Sequence, residues 1–215
     1  MHKKTLLAAV LCVAASLAHA SPELLRSAEQ GDLAGVQHQL RSGAAVDTRD
    51  ARQRTPLLLA TWANHPAVAQ ALIAAGADVN AKDDQQDSPY LVAGAHGRTE
   101  ILKMTLAHGA DLRSTNRYGG TALIPASEKG HPEAVRLLIQ AGADVDFVNN
   151  LGWTSLLEVV ILGQDTAVYQ NITRQLIAAK ANVNLPDKNG VTALQHARQR
   201  GLTQIAALLV QAGAR

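Results

Sequence analysis

The sequence predicts an all-α fold, a solenoid in which helix-turn-helix units stack and are joined by β-hairpin-like loops. Three observations support this fold class: a repeat with a period of 33 residues, apolar residues at helical spacing within each repeat, and a composition that is 47% apolar but only 3% aromatic. Small and aliphatic side chains suit closely packed helices. One such unit cannot bury its apolar face alone, so neighbouring units are expected to stack.

The first marker of the repeat is a tetrad that opens with Thr or Ser. Its Thr or Ser can cap the amino end of a helix, and in two copies Pro follows at the favoured first helical position. Each tetrad is therefore predicted to open the first helix of a repeat. The copies start at positions that differ by 33, 33, 33 and 38, and they are Thr55-Pro56-Leu57-Leu58, Ser88-Pro89-Tyr90-Leu91, Thr121-Ala122-Leu123-Ile124, Thr154-Ser155-Leu156-Leu157 and Thr192-Ala193-Leu194-Gln195.

Two further markers keep the same period. The first helix of each repeat is predicted to end near a Gly or Asn, and the second carries apolar residues at helical spacing, such as Val68, Leu72 and Ile73. A Gly-Ala-Asp sequence or a variant of it then turns the chain into the next loop, where Asp supports a turn. The predicted units are 21–53 as an amino-terminal cap, 54–86, 87–119, 120–152, 153–190 with a five-residue insertion, and a terminal unit 191–215.

Residues 1–20 are predicted to be a secretory signal peptide rather than part of the fold. A basic start precedes an apolar run from Leu6 to Leu17, and Ala18 and Ala20 suit cleavage before Ser21. The apolar run is shorter than the ~20 residues that span a bilayer, which argues against a membrane anchor. Bulky Leu11 disfavours lipid attachment at Cys12. We therefore expect a periplasmic or secreted protein without stable membrane insertion.

Removal of that segment leaves a neutral chain without cysteine. The full sequence has 20 Lys and Arg against 18 Asp and Glu, and Lys3 and Lys4 leave with the signal peptide. A neutral chain is a poor partner for nucleic acid, which binds clustered positive charge. Without Cys12 the chain forms no disulfide, which suits an oxidising compartment. Its histidines lack metal-ligand spacing, so we expect no metal and no cofactor.

The repeat resembles the ankyrin repeat family. The resemblance rests on TPLLLA at 55–60, GADVNAKD at 76–83 and GADVDFVNN at 142–150, and it extends over 22–215. The segments 116–131 and 149–163 are similar to those of exported bacterial ankyrin proteins. The resemblance implies that the protein binds a partner protein through its concave face, as a monomer and without catalysis. It also implies which positions are exposed: seven and eight residues after each tetrad Thr or Ser, and the loop positions just before it.

The exposed positions carry unusual residues in the second to fifth units. Large apolar and aromatic side chains exposed together mark a contact surface, and Trp and Tyr are common anchors. The alternative is local packing, in which the longer segment 163–172 folds back so that Val168 and Tyr169 cover Ile161 and Leu162. The predicted partner-binding residues are Trp62, Arg117, Tyr118, Leu151, Trp153, Glu158, Ile161 and Leu162.

Glu158 and His196 occupy equivalent positions in adjacent repeats, four residues after each Thr. A carboxylate beside an imidazole could serve acid–base catalysis, so a hydrolase is one alternative, against a structural hydrogen bond or two solvated groups. We expect no enzyme, because nothing else in the sequence supports catalysis. The binding function has two sharper versions: an accessory factor for an oxidative-stress enzyme such as catalase, by analogy with exported bacterial ankyrin proteins, or an immunity-type inhibitor of a toxin delivered to the periplasm.

Overall fold

The computed structural model describes residues 21–215, and the predicted signal peptide lies outside them. Helices account for the regular structure of this part, which confirms the all-α fold class; its one strand-like pairing is a bridge between Pro186 and Thr192. None of these helices is both long and apolar enough to cross a membrane. They are α1 Pro22–Gln30, α2 Leu33–Arg41, α3 Pro56–Ala63, α4 Pro66–Ala74, α5 Pro89–Ala95, α6 Thr99–Ala107, α7 Leu123–Glu128, α8 Pro132–Gln140, α9 Ser155–Leu162, α10 Ala167–Ala178, α11 Ala193–Gln199 and α12 Thr203–Gln211.

The helices stack in consecutive pairs. Each first helix packs on its own second helix and on the first helix of the next pair, as α7 does on α8 and on α9. The second helices form a parallel series, in which α8 contacts both α6 and α10. The core is therefore one continuous layer, with fully buried side chains such as Leu57, Ile101, Leu123 and Leu157 contributed by successive repeats. Each fully buried Leu stabilises the fold by about 1.5–3 kcal/mol.

The helix caps that the tetrads predict are present in four of the five copies. Thr55, Ser88, Thr154 and Thr192 each accept a hydrogen bond from the backbone N–H three residues later. Such a cap contributes about 1 kcal/mol.

Thr121 is the exception, and the prediction of a cap at this tetrad is wrong. Helix α7 begins only at Leu123, no side chain caps it, and the Thr121 hydroxyl has no hydrogen-bond partner. The cause is Pro125 in the first turn, because proline has no N–H to donate to the Thr121 carbonyl. That carbonyl instead accepts from the N–H of Ile124 at 3.2 Å, which is the group that the Thr121 hydroxyl would have capped.

Each loop between repeats turns on one Asp or Asn. Its side-chain Oδ1 accepts backbone N–H groups from two and four residues later, which is the Asx geometry of a tight turn. The Asp residues of the Gly-Ala-Asp sequences, Asp78, Asp111 and Asp144, accept only from two residues later. The residues that hold the loop tips are Asp50, Asp83, Asn116, Asn149 and Asp187.

The five-residue insertion is largely helical. Helix α10 has 12 residues, against 9 in α8 and in the other second helices, so three of the inserted residues lengthen it. The hydroxyl of Tyr169 donates to the carbonyl of Glu128 at 2.9 Å, and a Cβ at Gly163 would lie 2.7 Å from the Tyr169 ring. The insertion therefore packs on the carboxyl-terminal ends of α7 and α9. It does not cover Leu162, which remains exposed, so the local-packing alternative is wrong for that residue.

Candidate functional site

A groove runs along the first helices, between them and the tips of the loops. It consists of three adjoining cavities, which we call the N-terminal, central and C-terminal cavities, with volumes of about 370, 300 and 260 Å³. The N-terminal and central cavities share Trp62, Asp87 and Arg117. The central and C-terminal cavities share Asn116, Tyr118, Pro125 and Glu128. These shared walls make the three cavities one continuous groove.

Seven of the eight predicted partner-binding residues line this groove. Trp62, Arg117 and Tyr118 line the central cavity. The C-terminal cavity adds Leu151, Trp153, Glu158 and Leu162 to Tyr118. Tyr118 is 57% exposed, Leu151 50%, Leu162 48% and Trp62 38%. The prediction of exposed apolar side chains therefore agrees with the structure at these four positions.

Ile161 and Trp153 differ from the prediction. Ile161 lines none of the three cavities; it is half-buried and packs against the hydrophobic core. Trp153 is also half-buried and packs against the core, although its ring contributes to the C-terminal cavity. The loop tip holds Trp153 close, because its backbone N–H donates to Asn149 Oδ1 and its carbonyl accepts from the Asn149 N–H, both at 3.0 Å. Trp153 is thus a wall of the groove that also fills the core.

The N-terminal and central cavities contain charges of both signs, and two of their arginines, Arg54 and Arg117, pair with carboxylates of the chain. Arg117 lies 3.6 Å from Asp87, and its guanidinium stands 5.0 Å from the centre of the Tyr118 ring. The Trp62 and His96 rings meet edge to face at 4.7 Å. Lys129 Nζ lies 3.5 Å from His96 Nε2, and burial together with this ammonium lowers the pKa of His96 to about 4.

Glu158 and His196 do not form the predicted pair. Asn149 Nδ2 donates to Glu158 Oε1 at 2.9 Å, whereas His196 Nε2 bonds Asp187 Oδ2 at 2.9 Å. Each side chain has turned to the Asx residue of its own loop, nine positions earlier. The catalytic interpretation of these two residues therefore has no structural support, because acid–base partners must lie within hydrogen-bond reach.

Glu158 is a buried carboxylic acid on the wall of the groove. It is only 4% exposed, and its Oε2 has no hydrogen-bond partner. Burial, and then the charge of Glu128, raise the pKa of Glu158 to about 7, while the bond from Asn149 opposes the rise. Burial of an ion disfavours its charged form, so the carboxyl is partly protonated at neutral pH.

The part of the chain that the structure describes contains no cluster of metal-ligating side chains. Residues 21–215 contain no group of three or more His, Cys, Asp or Glu side chains that could hold an ion. Asp78, Asp111 and Asp144 point their side chains to their own turns, as their bonds to the following N–H groups show.

The sequence and the fold both match ankyrin repeat proteins. The family model for ankyrin repeats in three copies matches residues 24–116 and 90–169. An ankyrin repeat domain from Acinetobacter baumannii AYE is 57% identical over 89% of this chain and 98% of its own, with a TM-score of 0.87. The chain belongs to the ankyrin repeat family.

Two other solved structures are also similar to this ankyrin repeat protein. The ankyrin repeat protein EF0377 is 44% identical over 88% of this chain and 96% of its own, with a TM-score of 0.85. The ankyrin repeat domain of Bcl-3, a member of the IkappaB family, is 30% identical over 91% and 87% of the two chains, with a TM-score of 0.80. The search of curated proteins finds no relative. Ankyrin repeats are typically non-catalytic modules for protein interaction.

Some residues of the groove were missed by the sequence analysis of this ankyrin protein. Asn116, Glu128 and Asn149 line the C-terminal cavity, and His96 and Lys129 line the central one. A signal was available, because Asn116 and Asn149 lie five positions before Thr121 and Thr154. Glu128 and Lys129 lie seven and eight positions after Thr121, at positions that the resemblance implies are exposed.

Proposed function

We propose that this ankyrin repeat protein is exported and acts in the periplasm as a non-catalytic module that binds a partner protein through its groove. The observation that carries the proposal is that exposed Tyr118, Leu151 and Leu162 all lie in the wall of the C-terminal cavity. Apolar side chains that remain exposed together on a folded chain are typical of contact surfaces. Trp153 supports this wall from the core side.

The groove is tested by capture of a partner with matched variants. Leu162→Ala removes an exposed apolar side chain from the groove, and Val210→Ala removes one from α12, which is exposed but outside the groove. We expect Leu162→Ala to weaken partner binding at least about tenfold, or ~1.4 kcal/mol, with little change in melting temperature. Equal capture by both variants would place the contact surface elsewhere.

Export is the part of the proposal that rests on residues 1–20 alone. The basic start, the apolar run and the Ala18-His19-Ala20 sequence favour cleavage before Ser21. Amino-terminal sequencing of protein from a periplasmic fraction is expected to begin at Ser21. An intact Met1 form that is confined to the cytoplasm would contradict this location.

Two classes of partner remain proposals, and one experiment separates them. An accessory factor for an oxidative-stress enzyme such as catalase should co-purify with that enzyme, and its deletion should lower peroxide resistance. An immunity-type inhibitor should instead protect cells from one toxin delivered to the periplasm and leave peroxide resistance unchanged. Deletion of the gene, with both phenotypes measured in the same strain, gives opposite results for the two classes.

A further inference from the structure

The C-terminal cavity is lined by acidic and aromatic groups and by no base. Its two charged residues are Glu128 and Glu158, and no Lys or Arg of residues 21–215 lines it. Tyr118 and Trp153 supply aromatic walls, and Leu151 supplies an aliphatic one. A cavity of about 260 Å³ with this lining favours a group that is cationic at its tip and flat or apolar along its stem.

The carboxyl of Glu158 provides an independent indication of a ligand. Asn149 bonds only its Oε1, and Oε2 is buried without a partner. Buried polar atoms in folded proteins are nearly always hydrogen-bonded, because an unsatisfied one costs about 1–3 kcal/mol. Glu158 lines the C-terminal cavity, so a ligand that enters the cavity can bring the missing hydrogen-bond partner to this carboxyl.

We propose that the C-terminal cavity receives an arginine side chain of the partner protein, with its guanidinium between Glu128 and Glu158 and its plane against Tyr118 or Trp153. The proposal rests on the proposed function, since it names the chemistry that one part of the groove recognises. A guanidinium fits better than an ammonium because it is planar, stacks on aromatic faces and directs several N–H donors in one plane. Two carboxyls on neighbouring repeats can share those donors.

Among residues 21–215, the cations around this cavity do not supply the partner. Arg117 is held by Asp87 and the Tyr118 ring, and Lys129 lines the central cavity beside His96. Arg200, directly after α11, donates to the carbonyls of Val160 and Gly163. The acidic pair is therefore left open to a cation from outside.

Arginine binding is expected to depend on pH through Glu158. A guanidinium favours the ionised carboxyl, so binding releases a proton where the free group is protonated. Because the pKa of Glu158 is about 7, affinity should rise about tenfold between pH 6 and pH 8. The helices packed against α9 are α7, α10 and α11. Their titratable or charged groups are Glu128 on α7, Arg174 on α10, and His196 and Arg198 on α11, with Lys129 and Arg200 directly after α7 and α11. Of these, Glu128 is the one that shifts the pKa of Glu158, and His196 is bonded to Asp187.

The test uses three short capped peptides that differ in one residue: arginine, its neutral isostere citrulline, or lysine. Calorimetric titration of the purified protein should show the arginine peptide binding at least about tenfold tighter than the citrulline peptide, a difference of ~1.4 kcal/mol. Glu158→Gln should remove that preference, because a glutamine still accepts from Asn149 but carries no charge. Glu100→Gln, an exposed acid on α6 outside the groove, is the matched control and should bind as the wild type.

Several results would overturn the proposal. Equal affinity for the arginine and citrulline peptides would show that the cavity does not recognise a cation. A lysine peptide that binds as tightly as the arginine peptide would show that the cavity does not prefer a guanidinium. If Glu158→Gln does not fold, Glu128→Gln on the half-buried partner acid must weaken arginine binding instead. A partner lost with Leu162→Ala but unaffected by Glu158→Gln would leave the groove function standing and sink the arginine assignment.

Discussion

The two ends of the groove use the same repeat positions in different ways. At the amino-terminal end two arginines pair within the chain, Arg54 with Asp50 at 2.7 Å and Arg117 with Asp87 at 3.6 Å. At the carboxyl-terminal end Glu128 and Glu158 face a cavity that holds no base. A repeated backbone can thus carry one surface where charges pair within the chain and another where acidic groups have no basic partner. A ligand gains most at the second.

One position in the repeat explains much of the difference. Four residues after each tetrad Thr or Ser stand Leu59, Val92, Pro125, Glu158 and His196. In the three repeats with an apolar residue at this position, the side chain of the loop Asx residue bonds within its own turn. His196 meets a carboxylate, Asp187, whereas Glu158 meets only the neutral amide of Asn149. Glu158 is therefore the member of the series with a carboxyl oxygen that has no hydrogen-bond partner.

The largest expected effect is the pH dependence of stability that Glu158 causes. Its folded-state pKa of about 7 lies above the ordinary value of 4.5, so the folded chain holds an extra proton between these values. The contribution of Glu158 is therefore fully favourable below pH 4.5 and is lost as pH rises through 7. Relative to Glu158→Gln, the free energy of unfolding of the wild type should fall by about 3 kcal/mol from pH 4.5 to pH 8.

Urea unfolding of both proteins at several pH values measures this difference. Glu100→Gln, which changes an exposed acid, should follow the wild type at every pH. A constant difference between wild type and Glu158→Gln would mean that the carboxyl is not perturbed, and the contrast between the two ends of the groove would then lose its basis.

The two tryptophans give the next comparison, one from each end of the groove. Trp153 packs on the core and is half-buried, whereas Trp62 is exposed and meets mainly the edge of His96. Full truncation of a buried Trp costs about 3–5 kcal/mol, so we expect about 2 kcal/mol for Trp153→Ala and less than about 1 kcal/mol for Trp62→Ala. Thermal and urea melts of the two variants decide this. Similar losses would show that both rings play the same part.

A smaller effect of opposite sign is expected from His96. Burial and the nearby Lys129 lower its pKa to about 4, so the folded chain prefers the neutral ring. The wild type should therefore lose stability as pH falls from 6.5 towards 4, and His96→Asn should lose less. We expect a shallower dependence than that of Glu158, because His96 is less buried. A dependence on pH that is unchanged in His96→Asn would contradict this.

The period, the helices and most of the groove followed from the sequence because they depend on local patterns. Four of the five Thr and Ser caps and the exposed positions of Tyr118 and Leu162 recur with the period of the chain, whereas the Asx residues that hold the loop tips were not predicted. The pairing of Glu158 and His196 was wrong because equivalent positions in adjacent repeats do not reveal that each side chain can reach its own loop tip. Trp153 was placed too far outside for a similar reason: its burial depends on how Asn149 holds the loop.

The failure at Thr121 has the same origin. A tetrad predicts a cap from four residues, but Pro125 lies outside the tetrad and removes the N–H that would complete the first turn. The insertion, too, showed only as five extra residues in the sequence. Whether those residues formed a loop or lengthened α10 depended on Tyr169 finding the carbonyl of Glu128, a contact 41 positions away.

The most direct measurement is a carbon-13 NMR titration of the Glu158 carboxyl, alone and with the arginine peptide. The free protein should show a pKa near 7, as burial and Glu128 require, and the peptide should lower it as the guanidinium stabilises the ionised form. The same titration with the citrulline peptide should leave it unchanged. An ordinary pKa in the free protein that neither peptide moves would contradict an open acid at the carboxyl-terminal end of the groove.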